Sequence, residues 1–158
     1  MTTDTLPKRE WGPGPWQDEP DFARWTDRPT GLRCAIVRSD ISGALGGYVE
    51  IDHPGLCRSV EELRFVFGAH GGIKYEGPLF EDETGWWVGF HCDEVTDVTP
   101  LLDALTARRP PSPLAQLVDA LNGSMFSRAY RDIAYVRAQC GYLALQVRRA
   151  SQVARGMR

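Results

Sequence analysis

The chain has 158 residues, of which 42% are hydrophobic and 25% are charged, and its formal net charge is −3. This length suits one globular domain with a single core, and the acidic balance argues against the basic face that a binder of duplex nucleic acid needs. No stretch approaches the roughly 18 apolar residues of a membrane helix, and the N-terminus lacks the apolar core of a signal peptide, so we expect a soluble cytoplasmic protein with no membrane partner.

The four cysteines, Cys34, Cys57, Cys92 and Cys140, are far apart, and no Cys-x-x-Cys motif occurs. This spacing is not that of a structural zinc site, and thiols stay reduced in a protein that is not exported. We therefore expect four separate thiols, most of them buried, and we predict no cofactor.

Residues 1–20 predict an extended N-terminal arm, and residues 21–158 predict a single domain. The motif Trp11-Gly12-Pro13-Gly14-Pro15-Trp16 cannot be helical, because each proline lacks an amide donor and restricts the residue before it. Two tryptophans are costly to leave in water. They are expected to pack the arm onto its own domain or, alternatively, onto a partner.

The first half of the chain is typical of β-structure. Strands are predicted over residues 22–26, 32–38, 46–52, 73–76 and 86–92. Ser59 and Glu62 have the spacing of a capping box and predict a short helical turn. The alternation of Leu63, Phe65 and Phe67 after that turn favours a further strand that runs toward His70.

The second half changes to a helical period. Thr99-Pro100 and Ser112-Pro113 each place proline after an N-cap residue, and they predict helices over residues 101–106 and 114–121. Asn122-Gly123 should end the second of these helices. The longest helix is predicted over about residues 128–150, and its apolar face consists of Ile133, Val136, Cys140, Leu143 and Val147.

Strands that come before helices indicate an α+β fold class. We expect a mostly antiparallel sheet of five or six strands, packed against the long C-terminal helix and accompanied by two short helices.

Two segments carry most of the groups that can do chemistry. They are His70-Gly71-Gly72-Ile73-Lys74-Tyr75 and the stretch from Trp86 to Glu94, and as neighbouring strands they would share one rim. The glycine pair lets a ligand approach the backbone closely, and a tryptophan beside Tyr75 can stack on a base or a sugar. The predicted ligand-binding residues are His70, Gly71, Gly72, Tyr75, Trp86, Trp87 and His91.

Strand alternation separates the side chains of the second segment. His91 and Asp93 should lie on one face and Cys92 on the other, while Trp86 and Trp87 should also point to opposite faces. Together with His70, His91 and Asp93 would supply nitrogen and oxygen ligands to a metal. This set of ligands is the basis for an alternative function as a metal-dependent hydrolase. Without a metal, the same residues would form a hydrogen-bonded polar rim.

The order of several motifs resembles a family of small uncharacterised proteins encoded by phages and by bacteria that carry prophages. The family pattern has GPW-x-x-EPD, GYV, HGG[IL]T[YF], WW-x-GFDCAH-x-GD and YRDL-x-YV. The corresponding segments here are Gly14 to Asp21, Gly47 to Val49, His70 to Tyr75, Trp86 to Asp97 and Tyr130 to Val136. Lys74 stands where the pattern has threonine, and His91, Asp93, Glu94 and Thr96 stand where it has aspartate, alanine, histidine and glycine. The histidine of that segment is therefore lost, and another histidine appears three residues earlier.

The resemblance implies a phage or prophage setting and no established reaction. We therefore expect a non-enzymatic protein that binds a small polar or nucleotide-like ligand or a host protein. A third hypothesis is a structural or assembly protein whose N-terminal arm reaches a neighbouring copy, which would make the protein a homo-oligomer.

Overall fold

The computed structural model describes residues 7–109, 111–125 and 127–157, so the first six residues of the predicted arm and Pro110 lie outside the described residues. The described residues form an α+β fold with one five-stranded sheet and four α-helices. The strands are β1 Phe22–Thr26, β2 Arg33–Arg38, β3 Leu45–Ile51, β4 Tyr75–Gly77 and β5 Trp86–His91. The helices are α1 Val60–Val66, α2 Pro100–Ala107, α3 Pro113–Met125 and α4 Ile133–Gly156.

The sheet has the strand order β1-β2-β3-β5-β4, and every pair of neighbours is antiparallel. Tyr75 is paired with Gly89, while Gly46 is paired with His91. The two chemically rich segments are therefore neighbours through β4 and β5, as their patterns suggested.

Helix α4 covers one face of the sheet with the predicted apolar stripe. Val136, Cys140, Leu143 and Val147 are fully buried there among strand residues such as Phe90. Burial of an aliphatic side chain of this size contributes about 1.5–3 kcal/mol, so this face holds the main core.

The helix comes close to the sheet because Gly47 has no side chain. A Cβ atom on Gly47 would lie 2.7 Å from Cys140 Sγ and 2.4 Å from the Phe90 ring. All four cysteines are free thiols, and three of them are buried, in agreement with the expectation from their spacing.

The predicted ends of α4 were wrong by about a turn. Residue Ala129 forms a bridge with Asp97 instead of helix, and the Asp132 side chain caps the true start by accepting a hydrogen bond from Tyr135 N at 2.8 Å. The helix continues to Gly156 because no proline interrupts it and because buried Ser151 donates to Asp52 Oδ1 at 2.6 Å.

The predicted strand over Leu63 to Phe67 is wrong, since this stretch belongs to α1 and its C-cap. Both hydrogen bonds of the Ser59–Glu62 capping box are present. Leu63 and Phe67 are buried, four residues apart as on a helix face, whereas Phe65 is 93% exposed. The buried positions therefore follow the four-residue spacing of a helix face and not the two-residue alternation of a strand.

The two short helices of the second half, α2 and α3, form where they were predicted, but Asn122-Gly123 does not end α3, which runs to Met125. Every residue of α3 up to Leu121 is exposed, including several apolar ones. Among the helices of the described chain, none is long and apolar enough to cross a membrane.

The described part of the N-terminal arm packs on its own chain and is less extended than predicted. It contains short 3-10 helices at Lys8–Glu10 and Pro15–Gln17. The Trp16 ring is buried edge-on against Tyr130, with 5.1 Å between ring centroids. Glu19 Oε1 accepts a hydrogen bond from Ile133 N at 3.0 Å, so the arm also satisfies a free amide at the start of α4.

The face of the sheet opposite α4 has a smaller apolar cluster. Ala35, Tyr48 and Trp87 are buried there, and Leu79 and Phe80 pack on them from the loop of residues 78–85. This face also carries the side chain of His91, which contacts Tyr48.

Candidate functional site

The His70 side chain is positioned by a tight turn. Gly71 and Gly72 have φ angles of 66° and 82°, which favour glycine, and Gly72 N donates to Ala69 O at 2.9 Å. The backbone amide of His70 donates to Gln139 Oε1 of α4 at 3.0 Å. The turn therefore holds the imidazole against the helix, where only 10% of the side chain is exposed.

Both nitrogens of the His70 ring are hydrogen-bonded. Nδ1 lies 2.8 Å from the Tyr135 hydroxyl and Nε2 lies 2.6 Å from Asp97 Oδ2. An ionised carboxylate only accepts, so in a neutral ring Nε2–H donates to Asp97 and Nδ1 accepts from Tyr135. No ring nitrogen is left for another partner.

Asp97 is fully buried and still held in its ionised form. Burial acts to raise its pKa, but hydrogen bonds from Arg131 Nε at 2.8 Å and from His70 outweigh burial, so the pKa lies below its usual value. Glu94 N adds a third hydrogen bond at 2.9 Å. The result is a clamp, formed by His70, Asp97, Arg131 and Tyr135, which joins the glycine turn and the loop after β5 to α4.

His91 lies on the other face of the sheet, with Tyr48 as its partner. Its Nε2 is 3.0 Å from the Tyr48 hydroxyl, and Nδ1 has no hydrogen-bond partner among the described residues. Burial lowers the pKa of His91; Asp93 opposes this shift and Lys74 adds to it. Burial also raises the pKa of Tyr48 to about 12, so the pair is neutral at physiological pH.

Two glycines, Gly46 on the same strand and Gly89 on β5, leave room for the Tyr48 ring. A Cβ atom on Gly89 would lie 2.3 Å from Tyr48 Cδ1, and one on Gly46 would lie 2.9 Å from the Tyr48 hydroxyl oxygen. Tyr75 packs edge-on against the same ring at a centroid distance of 5.4 Å. The hydroxyl is thereby directed at His91.

The Tyr48–His91 pair lies in a cavity of about 460 Å³, which we call the tyrosine cavity. Its polar lining comes from Tyr48, His91, Asp93, Arg38, Ser39, Asp40 and Ser42. The Arg38 guanidinium is already committed, since it donates to Asp21, to Gly43 O and to the Tyr130 hydroxyl. The cavity therefore offers hydroxyls, carboxylates and a neutral imidazole.

The predicted ligand-binding residues are divided among three places. His70, Gly71 and Gly72 form the turn at α4, while Tyr75, Trp87 and His91 lie on the opposite face. Trp86 packs partly against the main core, as the predicted alternation with Trp87 requires. His91 and Asp93 do share one face, because both line the tyrosine cavity.

The proposed metal ligands His70, His91 and Asp93 are not brought together. His70 is paired with Asp97 and Tyr135, whereas His91 is paired with Tyr48. In the described part of the chain, no three His, Cys, Asp or Glu residues are placed to hold a metal ion. Cys92 is buried in the main core, and burial raises the pKa of its thiol to about 12, which suits packing and not nucleophilic attack.

Four residues of the two networks were not predicted to act in a site: Tyr48, Asp97, Arg131 and Tyr135. The available signal was the four-residue spacing of Arg131, which precedes α4, and Tyr135, which lies in its first turn. The Arg131 guanidinium lies over the Tyr135 ring at 5.0 Å. Asp97 stands among many other acids, and Tyr48 stands in a glycine-rich strand, so neither was distinctive in the sequence.

Four of the five segments on which the resemblance rests meet around the start of α4. The clamp draws on three of them, and a fourth contributes Glu19, which accepts from the Tyr130 hydroxyl at 2.5 Å. Two of the departures from the pattern, Lys74 and Glu94, form an ion pair with each other. Comparisons of the chain with protein-family models, curated proteins and solved structures give no match.

Proposed function

We propose that the protein is a non-enzymatic binding protein of phage or prophage type, which acts in the cytoplasm and holds a small polar ligand in the tyrosine cavity. The observation that carries this proposal is the neutral Tyr48–His91 pair, which leaves His91 Nδ1 open to a ligand. A volume of about 460 Å³ is in the range of small-molecule sites.

The charges of the cavity favour one kind of polar ligand. Asp40 and Asp93 are exposed carboxylates, and Asp93 is paired with Lys74 Nζ at 3.0 Å. Arg38, the one cation among the described lining residues, already has its partners. A phosphate group would be repelled, whereas a nucleoside or another neutral or cationic ligand can donate to the carboxylates. Within the nucleotide-like class, we therefore favour a nucleoside over a nucleotide.

The clamp itself does not offer a general base. A general base needs a free lone pair within reach of the substrate, but the His70 ring has both nitrogens occupied and Asp97 is fully buried. The clamp is suited to holding loops in place.

Isothermal titration calorimetry with the common ribonucleosides and their 5′-monophosphates tests the proposal. At least one nucleoside should bind, and more tightly than its monophosphate. Tyr48→Phe removes one hydroxyl without changing the ring and should weaken binding about tenfold, the effect of one lost hydrogen bond in a partly buried site.

Tyr142→Phe is the matched control, because Tyr142 is 57% exposed on α4, and it should bind as the wild type does. Absence of binding by every member of the panel, or equal binding by Tyr48→Phe, would refute the proposal.

A further inference from the structure

The two edges of the sheet differ in how they are protected. At one edge, β4 has only three residues and is followed at once by Pro78. Short strands and prolines keep an edge from pairing with another chain. At the other edge, β1 has five residues in unbroken register with β2 and contains no proline. The edge of β1 is therefore open to a further strand.

The outward backbone groups of β1 are not used within the described chain. Just beyond the strand, Asp27 N donates to Leu32 O at 2.8 Å, so the odd-numbered residues of β1 share hydrogen bonds with β2. The N–H and C=O groups of Phe22, Arg24 and Thr26 point the other way. No described residue forms a hydrogen bond with them, and all three residues are exposed.

Aromatic side chains lie on both faces of this edge. Phe22 is 49% exposed and contacts Phe80 of the smaller apolar cluster, with 5.9 Å between ring centroids. On the other face, the half-buried Trp25 packs against the main core. A neighbouring strand would cover both rings, whereas a protected edge usually carries charges at such positions.

The charges at the two ends of β1 are complementary to each other. Before the strand, Asp21 contacts Lys8 and Arg38, but 59% of its side chain stays exposed. After the strand, Arg28 is exposed and makes no hydrogen bond or ion pair with any residue in the described ranges. Antiparallel pairing of two β1 strands brings the Asp21 end of one beside the Arg28 end of the other, which is favourable.

The other charges of the edge do not oppose such pairing. Arg24, in the middle of β1, is neutralised by Glu83 at 2.8 Å. Asp27 is turned into its own loop, where it accepts hydrogen bonds from the amide and the hydroxyl of Thr30. A second copy of the same edge therefore meets no uncompensated like charge.

We propose that the partner of this edge is a second copy of the chain. Two β1 strands pair antiparallel about a twofold axis, and the two five-stranded sheets become one sheet of ten strands. Assembly stops at the dimer, because each copy has one open edge and β4 is protected. The surface is independent of the nucleoside proposed for the tyrosine cavity, since Phe22, Arg24 and Thr26 do not line that cavity.

Sedimentation equilibrium over a dilution series tests the proposal. The mass of the wild type should rise with concentration from one chain to two. Thr26→Pro removes an outward N–H and leaves the hydrogen bonds to β2 in place, so it should raise the dissociation constant of the dimer at least about tenfold. Thr26→Val keeps the N–H group and is the matched control, which should dimerise as the wild type does.

Arg28→Glu tests the same contact without a change to the backbone. It places an acid beside Asp21 of the other copy and should also raise the dissociation constant, more strongly at low salt than at high salt. Circular dichroism shows whether each variant is folded. If Thr26→Pro does not fold, Arg28→Glu still decides the outcome.

Amide hydrogen exchange, followed by NMR, locates the contact. In the wild-type dimer the amides of Phe22, Arg24 and Thr26 should exchange slowly, and in monomeric Arg28→Glu they should exchange rapidly. The amides of Ala23 and Trp25 are bonded to β2 and should be protected in both proteins.

Three results would overturn the proposal. A wild type that stays monomeric at every concentration would leave the edge to an extended segment of another protein. A dimer whose outward β1 amides exchange rapidly would be formed by another surface. Unchanged dimerisation in both folded Thr26→Pro and Arg28→Glu would show that β1 is not the contact. None of these measurements depends on nucleoside binding, so the two proposals fail separately.

Discussion

His70 and His91 show how the same side chain acquires different roles from its surroundings. The His70 ring is held at both nitrogens beside a buried carboxylate, whereas the His91 ring is held at one nitrogen by a phenol. Strand alternation was sufficient to predict that His91 and Asp93 share a face. The partners of His70 were not predictable, because Asp97 and Tyr135 are 27 and 65 residues away and meet it only after α4 has packed.

His91 should make stability depend on pH in a defined window. Its pKa is lower in the folded protein than the ordinary value of 6.5, so below pH 6.5 the unfolded chain takes up a proton before the folded chain does. The contribution of His91 is therefore present above pH 6.5 and is lost as the pH falls toward the folded pKa. His91→Gln should lose less stability than the wild type between pH 7 and pH 5, as measured by urea denaturation.

The same measurements above pH 7 serve as the control, since both states are then neutral at His91 and the difference between the two proteins should be constant. The lowered pKa values of Asp21, Asp52 and Asp97 act in a separate window, because their ordinary value is 3.8. Identical pH profiles for the wild type and His91→Gln would show that burial does not depress this pKa.

The secondary-structure elements differ in how well periodicity predicted them. The prediction of the apolar face of α4 is confirmed, because four of its five apolar positions are fully buried. The helical spacing of the apolar residues there matches the spacing of the buried residues. The apolar residues from Leu63 to Phe67 fit both the two-residue period of a strand and the four-residue spacing of a helix. Only the packing of the fold decides that Phe65 faces solvent. In α3 the period is clear, but the described side chains are exposed, so a helical pattern alone does not show whether a helix is covered.

This contrast between α4 and α3 predicts the effect of matched leucine substitutions. Leu143 is fully buried in the main core, so Leu143→Ala should lower the free energy of unfolding by about 2–5 kcal/mol. Leu117 is 56% exposed on α3, so Leu117→Ala should change it by no more than about 0.5 kcal/mol. Chemical denaturation of both variants measures the difference, and equal losses would mean that α3 is covered in solution.

At the scale of the whole molecule, the α+β class and the antiparallel sheet were predictable, since strand patterns precede helical ones. The packing of the N-terminal arm onto the rest of the chain was predictable only in part. Two tryptophans among prolines indicated packing, but nothing in the local sequence showed that Trp16 and Glu19 contact Tyr130 across more than a hundred residues. Such contacts depend on where α4 begins.

The described part of the arm should therefore contribute to global stability. Trp16→Ala removes a buried aromatic ring and should cost about 3–5 kcal/mol, as measured by thermal and urea denaturation. Asp18→Ala, an exposed position in the same arm, is the control and should stay within about 0.5 kcal/mol of the wild type. A wild-type stability for Trp16→Ala would show that the arm is an appendage of the domain.

The position of α4 at the end of the described chain has a consequence for synthesis. β1, β2 and β3 leave the ribosome first, and their inner face is covered by a helix that begins only at Ile133. At a synthesis rate of about 5–20 residues per second, that face of the sheet stays uncovered for several seconds before α4 is made. Over that interval, Val49 and Ile36 are available to chaperones and to neighbouring nascent chains, so the yield of folded protein depends on the emergence of α4.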